Sequence, residues 1–425
     1  MTTVADVIVV GAGISGLATA CELARRGAAV TVFEKDSVGF EASGRNMGAI
    51  GLLGKHAADI ASASVPAWER LVADRPQDFG YSNAGRLYVA HDSEDIRLIE
   101  EMAKRAADQD IHVELLSPKE LGPRFPYIAK RVLGGAFSRV DSLVEPRKVM
   151  ARFEEMALSL GVQIRTATTV DGIDLVGGRA CGVICGQKHF PGHAVVITGG
   201  VWSYALLRSV GIRIPYQIVE LIHGFTEPQP QLLDVFLRGP DYGLRQLPSG
   251  SIRFTGGYRD PGADHSLGIH DFHDLPAWAP RLWRHRAQVR LRVDPKMLAL
   301  ELRSAFGLAP IAPTGFYPQV SMQSVKRRLK RIQDVIPSLA DTHVVEASGG
   351  LVDMTLDGLP VLGPVDLIPD LYLAVGFNGQ GFGLGPVVGR LLSDVILGRS
   401  ASIPLEKYRW SRFFEGGIPI PNHLI

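Results

Sequence analysis

At 425 residues, the chain exceeds the ~100–200 residues of one ordinary domain core, so two domains or one elaborated domain are expected. Its 45 Lys and Arg against 44 Asp and Glu leave a formal charge of +1, which offers no electrostatic argument for nucleic acid or an anionic membrane and favours a small-molecule partner. Cys21, Cys181 and Cys185 are too few for a disulfide framework and match no zinc or iron–sulfur spacing; no metal site is expected, and the thiols read as small hydrophobes in a reducing compartment.

The N-terminus shows no secretory pattern, because Asp6 interrupts it and Val7 already opens a strand. No apolar run reaches the ~18–20 residues of a membrane span. A cytoplasmic location is the expectation.

The first predicted unit is strand, glycine turn, helix, strand and acid. Gly11, Gly13 and Gly16 follow the apolar run Val7 to Val10, where they allow a tight turn, close approach of backbone to a pyrophosphate, and close packing of helix on strand. Ile14, Leu17, Cys21 and Ala24 recur at helical spacing. Glu34, 18 residues beyond Gly16, ends the strand Ala28 to Phe33 where an acid accepts hydrogen bonds from a ribose. The motif addresses ADP, and both flavin and nicotinamide dinucleotides carry it.

A second helix and strand follow over Pro146 to Leu160 and Val162 to Thr166. Val170 to Leu175, Gly177-Gly178 and Ala180 to Cys185 read as a hairpin. His193 to Thr198 reads as a buried strand ending at Gly199-Gly200, before a helix from Trp202 to Val210. From Pro215 to about Asp341 the pattern predicts an antiparallel layer, with strands Val219 to Phe225 and Ser251 to Thr255 and an amphipathic helix Ser324 to Ile336. His270 to Asp274 carries metal-like residue types in what reads as a loop, without the register to converge ligands. The basic run Arg281 to Arg286, with Arg290 and Arg292, reads as a solvated helix face.

The C-terminal third returns to glycine-rich, apolar sequence. Asp357 to Gly363 is a turn, Leu371 to Val375 a strand, and Gly376 to Pro386 a second glycine-rich approach that opens a helix. Pro386 is expected in its first turn and Gly398 at its stop. A helix N-terminus without bulky side chains favours negative charge, such as that on the pyrimidine end of a reduced flavin.

With these motifs the chain resembles the FAD-dependent D-amino-acid oxidase superfamily, in the glycine oxidase, sarcosine oxidase and dimethylglycine dehydrogenase branch. The resemblance spans nearly the whole chain: the first glycine turn with Glu34, Ala42 to Gly48, Asp141 to Pro146, Thr198 to Ser203, His223 to Pro228, Thr355 to Gly363 and Gly376 to Pro386. It implies an α/β + β architecture: a discontinuous, Rossmann-like FAD-binding domain over 1–80, 140–215 and 340–425, with an inserted, mainly antiparallel β-sheet substrate domain over 81–139 and 216–339. It also implies oxidation of a carbon–nitrogen bond of an amino acid or secondary amine by hydride transfer to flavin N5, the imine product then being hydrolysed.

By position, the resemblance gives the ADP part to Gly11, Gly13, Ile14, Ser15, Gly16, Glu34 and Lys35, with the Val170 backbone at the adenine. Gly199, Gly200 and Trp202 would border the pyrophosphate. Ser43, Gly44, Arg45, Asn46 and Met47 would lie near the flavin, and Gly379, Gln380, Gly381, Phe382 and Gly383 along its pyrimidine edge.

The substrate end departs from the family pattern. The strand arginine that clamps a substrate carboxylate, five residues before the aspartate matched to Asp357, is here Val352. The lysine positions of monomeric sarcosine oxidases fall on Gly383 and Thr255. Substrate contacts are therefore expected from Arg45, Arg253 and Asp353, with Arg86, Arg245 and His223 as further candidates; a guanidinium grips a carboxylate well and Asp353 could face an amine. Relatives of this kind also serve as flavin subunits of multi-component dehydrogenases. The alternative is the flavin subunit of a multi-component dehydrogenase of the opine or imino-acid type, or an FAD that is structural or relays electrons; a partner subunit or a homo-oligomer is compatible with either.

The covalent attachment positions of the family fall on Gly350 and about Asn46, so FAD is expected to be non-covalent. Acid precipitation should leave the yellow chromophore in the supernatant; colour that stays with the polypeptide would contradict this.

Overall fold

The computed structural model describes residues 5–51, 57–108, 111–129, 131–259 and 312–416, with shorter stretches between 263 and 303. It has an α/β fold with two principal sheets.

Strand Ala5–Val10 lies at the centre of the first sheet, parallel to Lys188–Ile197 on one side and Val30–Phe33 on the other. Gln163–Arg165 extends the sheet beyond Val30–Phe33, and Leu371–Val375 extends it beyond Lys188–Ile197, again in parallel. The antiparallel Val361–Pro364 closes that edge. The central strands are continuous apolar runs because both sides of a parallel sheet are covered; Ile8, Val9, Val195 and Val196 are fully buried. The hairpin Gly172–Val176 and Arg179–Cys185 hangs on Lys188–Ile197. All three cysteines are free; Cys21 is buried, and the other two are partly so.

Two helices, Ile14–Arg25 and Gly381–Ile396, pack on each other through glycine. A Cβ on Gly385 would lie 2.5 Å from Ile14 Cγ1, and one on Gly389 would lie 2.5 Å from the Ala18 carbonyl carbon. No side chain fits between them. The helix begins at Gly381, so Pro386 stands inside it and not in its first turn. That proline gives up one backbone bond, to the Phe382 carbonyl.

The long strand Tyr216–Pro228 is the spine of the second sheet. Val344–Thr355 pairs antiparallel along its length, and Ser251–Thr255 and Ala263–Leu267 pair on its other edge. Residues 344–355, expected with the cofactor unit, thus join the second sheet instead. Gly243–Gln246, Phe236–Arg238, Arg86–Ala90 and Gly134–Ser138 complete the sheet's other half. One face, with Leu87, Val89, Ile222, Leu237, Leu244 and Phe254, packs on Val325, Leu329 and Ile332 of helix Met322–Val335. Strand alternation turns Arg86, His223, Phe236, Arg238, Arg253 and Thr255 to the opposite face.

The stretch His270 to Asp274 lies in a helix, Ile269–Arg284, and not in a loop. Arg281 departs from the solvated face expected of it. It is fully buried, donating from Nη1 to the Thr355 and Leu356 carbonyls at 2.6 and 2.8 Å. The carbonyls leaving the strand needed a donor, and an arginine supplies it. Arg290 and Arg292 lie in the strand Val289–Val293; Arg286 lies outside the described residues.

Gly389→Ala places a methyl group against the Ala18 backbone, so we expect a stability loss of about 1–3 kcal/mol in denaturant titration, the usual cost of overpacking.

Candidate active site

The first wall of the site is the glycine turn. Gly11 adopts φ 107°, and a Cβ there would come 2.9 Å from the Thr198 carbonyl oxygen; a Cβ on Gly16 would meet the Gly11 carbonyl oxygen at 2.0 Å. Helix Ile14–Arg25 starts at Gly13 without a side-chain cap, and the Ile14 amide donates to Ser43 Oγ at 3.0 Å. Such an end favours an anionic group. Glu34 accepts from the Ala12 amide at 2.8 Å and the Asp36 amide at 2.9 Å, and burial pushes its carboxyl above the ordinary value. The acid therefore fixes the glycine turn as well as lining the cavity.

The second wall is the C-terminal glycine loop. Gly376, Asn378 and Gly379 all adopt positive φ. The Asn378 side chain makes this affordable by accepting from the Thr355 amide at 2.9 Å and donating to the Gly376 carbonyl at 2.6 Å. Helix Gly381–Ile396 opens without a side-chain cap. Its start is fixed by Trp68, which donates to the Gly383 carbonyl at 2.7 Å and stacks on Phe382.

Between these walls runs a cavity of about 350 Å³. It passes from Gly11 and Glu34 through Thr168, Val170 and Gly199, past Ser43 and Met47, to Gly350, Val352 and Gly379. Arg86, His223, Phe236, Arg238 and Thr255 of the second sheet also line it. Two uncapped helix N-termini open on one elongated cleft, with glycines where backbone must come close. Those features fit a dinucleotide of the size of FAD.

Residues 6–395 match the family described as FAD dependent oxidoreductase (DAO). The chain belongs to this family. It is 26% identical to the glycine oxidase of Bacillus licheniformis over 422 residues, covering 96% of each chain. It is 23% identical to the sarcosine oxidase subunit beta of an Arthrobacter species, covering 98% of this chain and 93% of the relative. In structure it is similar to the L-amino acid deaminase of Proteus myxofaciens, with a TM-score of 0.87 at 21% identity over 97% of this chain and 94% of that one. The protein is an FAD-dependent oxidoreductase.

Most of the cofactor residues read from the sequence line the oxidoreductase's cleft: Gly11, Gly13, Ile14, Ser15, Glu34, Lys35, Ser43, Arg45, Asn46, Met47, Val170, Gly199, Gly200, Trp202 and the run Gly379 to Gly383. Gly16 and Gly44 do not. Gly16 serves helix–strand contact, and Gly44 is needed because a Cβ there would lie 2.4 Å from the Gly39 carbonyl oxygen. Asn46 uses its side chain on its own loop, donating to the Ala42 and Ser43 carbonyls and accepting from the Gly48 amide. Lys35 pairs with Asp36 and with Glu41, the latter at 2.8 Å.

The three residues expected to hold substrate separate in the fold. Arg45 lines the cleft, with Nη1 donating to the Phe316 carbonyl at 3.2 Å. Arg253 lies beside Arg245 and outside the cleft lining; burial, then the Arg245 charge, lowers its pKa to about 10. Arg245 is spent on the Met47 and Val144 carbonyls and on Glu145 at 2.6 Å. It holds the loop that carries Met47 against Val144. Asp353 lines the cleft, yet its Oδ2 accepts from the Gly376 amide at 2.7 Å and the Tyr204 hydroxyl at 3.2 Å. The carboxylate holds the C-terminal glycine loop in place, and an amine contact is not what the geometry gives it.

The sequence reading missed Arg238. It lines the cleft, its Nε is buried without a hydrogen-bond partner, and it forms no ion pair among the described residues. Burial lowers its pKa, opposed by the Tyr88 hydroxyl, to which the guanidinium hydrogen-bonds, and Arg86 lowers it further. Arg86, by contrast, is paired with Asp141 at 3.1 Å. The signal for Arg238 was alternation: on a three-residue strand between Phe236 and a glycine, it shares the face of Phe236. His223, also in the lining, is buried with Nδ1 unpartnered, and burial, then Arg253 and Arg328, push its pKa well down. It is neutral at pH 7.

Burial raises the Asp353 carboxyl to about 6, above its ordinary 3.8. The folded state therefore binds this proton more tightly than the unfolded chain, so the contribution is complete below pH ~4 and is lost as pH rises through about 6. Asp353→Asn should remove that dependence. In urea titrations, the stability difference between wild type and variant should move in the variant's favour from pH 4.5 to 7.5.

Proposed function

We propose that this oxidoreductase oxidises the carbon–nitrogen bond of an α-amino acid, primary or N-substituted, with Arg238 holding the carboxylate. The observation that carries this reading is the buried guanidinium itself. A desolvated charge without a carboxylate partner is costly, and an anionic substrate group in the cleft would relieve that cost with a charge-assisted, two-pronged contact. Glycine, sarcosine and L-amino acids, named in the comparisons, share such a carboxylate.

On this reading the first sheet and its helices form a discontinuous, Rossmann-like domain for non-covalent FAD, and the second sheet is an inserted cover. FAD, when bound, would supply the acceptor for the hydride, two electrons with one proton, leaving the substrate carbon; the amine nitrogen gives up a proton, and water then hydrolyses the imine. The chain supplies placement. Arg238 sets the distance of the carboxylate from the cleft floor at Gly350 and Val352, and Phe236 and Thr255 narrow the approach. His223, being neutral, adds no charge against the amine and offers it a hydrogen-bond acceptor. Because Val352 replaces the arginine of the family's strand clamp, the grip comes from strand Phe236–Arg238 of the same sheet.

Arg238→Met keeps most of the side-chain volume and removes the charge. We expect kcat/KM for amino acids to fall about 30-fold or more, the ~2 kcal/mol or more of a lost charged hydrogen bond, with FAD content unchanged. Anaerobic mixing of wild type with a panel of amino acids should bleach the flavin band with at least one of them. Failure of every compound would favour an FAD that relays electrons for a partner subunit.

A further inference from the structure

Residues 312–317 run from the cofactor cleft, which Ala312 lines, towards Pro318 and Val320, which lie against Gly349 of the second sheet. Ala312 is buried in the core of the first sheet and Phe316 packs against that core, while the polar fastenings are local. The Gly315 amide donates to Asp36 Oδ1 at 2.7 Å, and the Phe316 carbonyl accepts from Arg45. The Phe316 ring meets Trp202 edge-on at 5.3 Å. Tyr317 covers Arg45: the guanidinium carbon sits 4.0 Å from the Tyr317 ring centre and 4.4 Å from that of Phe40, which meets Tyr317 edge-on. Arg45 is only 8% exposed and its Nη2 is buried without a partner, while Tyr317 is 59% exposed.

Each partner on the cleft side is a cofactor-cleft residue or its neighbour. Phe40, Arg45 and Trp202 line the cavity, and Asp36 follows the lining residues Glu34 and Lys35. Contacts of this kind are individually weak, enough together to keep the segment closed and few enough to release without unfolding a sheet.

We propose that residues 312–317 form a strap that retains the cofactor, latched by Arg45 between the Phe40 and Tyr317 rings, so that FAD enters and leaves only when the latch opens. Arg45 is then a positioning residue for the strap, which accounts for an arginine in the cleft that the substrate reading does not need. The inference rests on the cleft holding FAD.

The test is the rate of FAD release from the holoenzyme, followed by the rise of free-flavin fluorescence on dilution, together with the melting temperature of the apoprotein. Tyr317→Ala should speed release about fivefold or more, as expected for one lost cation–π contact. Tyr317→Phe, which keeps the ring, should release at the wild-type rate, and the apoprotein of both variants should melt as wild type does. An unchanged rate in Tyr317→Ala overturns the strap, as does faster release accompanied by a lower apoprotein melting temperature. A protein isolated without flavin that takes up none overturns the cofactor reading itself, and the strap with it.

Discussion

The close contact between helices Ile14–Arg25 and Gly381–Ile396 is the constraint on which the rest of the site depends. Each helix contributes an uncapped N-terminus, and such an end is useful to an anionic ligand only where water and side chains are kept away from its amides. Gly385 and Gly389 let the two axes approach until Cβ atoms would collide with Ile14 and Ala18. About 355 residues of sequence separate the helices, yet both open on one cleft. Trp68, fully buried, fixes the second helix from the side through the Gly383 carbonyl.

Around that pair the chain spends its buried polar groups on backbone. Glu34 holds the first glycine turn, Asn378 and Asp353 hold the second, Arg245 holds the Met47 and Val144 carbonyls, and Arg281 the end of strand Val344–Thr355. Turns with positive φ and few side-chain contacts carry little stability of their own. Charged groups with several hydrogen bonds each make them rigid, at the cost of pKa values displaced by burial. Arg238 and His223, like Arg45 and Arg86, line the cleft with a buried nitrogen left without a hydrogen-bond partner among the described residues. Residues so left are the ones available to a ligand.

The cofactor side was legible in the sequence because its requirements are local. Gly11, Gly13 and Gly16 between an apolar run and a helical stripe state a backbone geometry, and Gly376 to Gly383 state another. The substrate side was not, since it depends on register between strands. Arg253 and Arg238 look alike as single arginines near apolar residues. Pairing of Phe236–Arg238 alongside Arg86–Ala90, and of Arg253 opposite Arg245, places one in the cleft and the other beside a second arginine. Asp353 was likewise readable as a free carboxylate until the fold brought Gly376 and Tyr204 to it. Arg281 sat in a basic run that suggested solvent, and only the end of strand Val344–Thr355 explains why it is buried.

Sequence alone determined that this chain folds glycine turns against helix ends and that the pattern is that of an FAD-dependent oxidoreductase, because those features are written in residues a few positions apart. Tertiary structure decided which charged side chains reach the cleft, which ones hold its walls, and where residues 312–317 lie. Those outcomes are set by strand register and helix contact between segments hundreds of residues apart, where one step of alternation moves a side chain to the other face of the sheet.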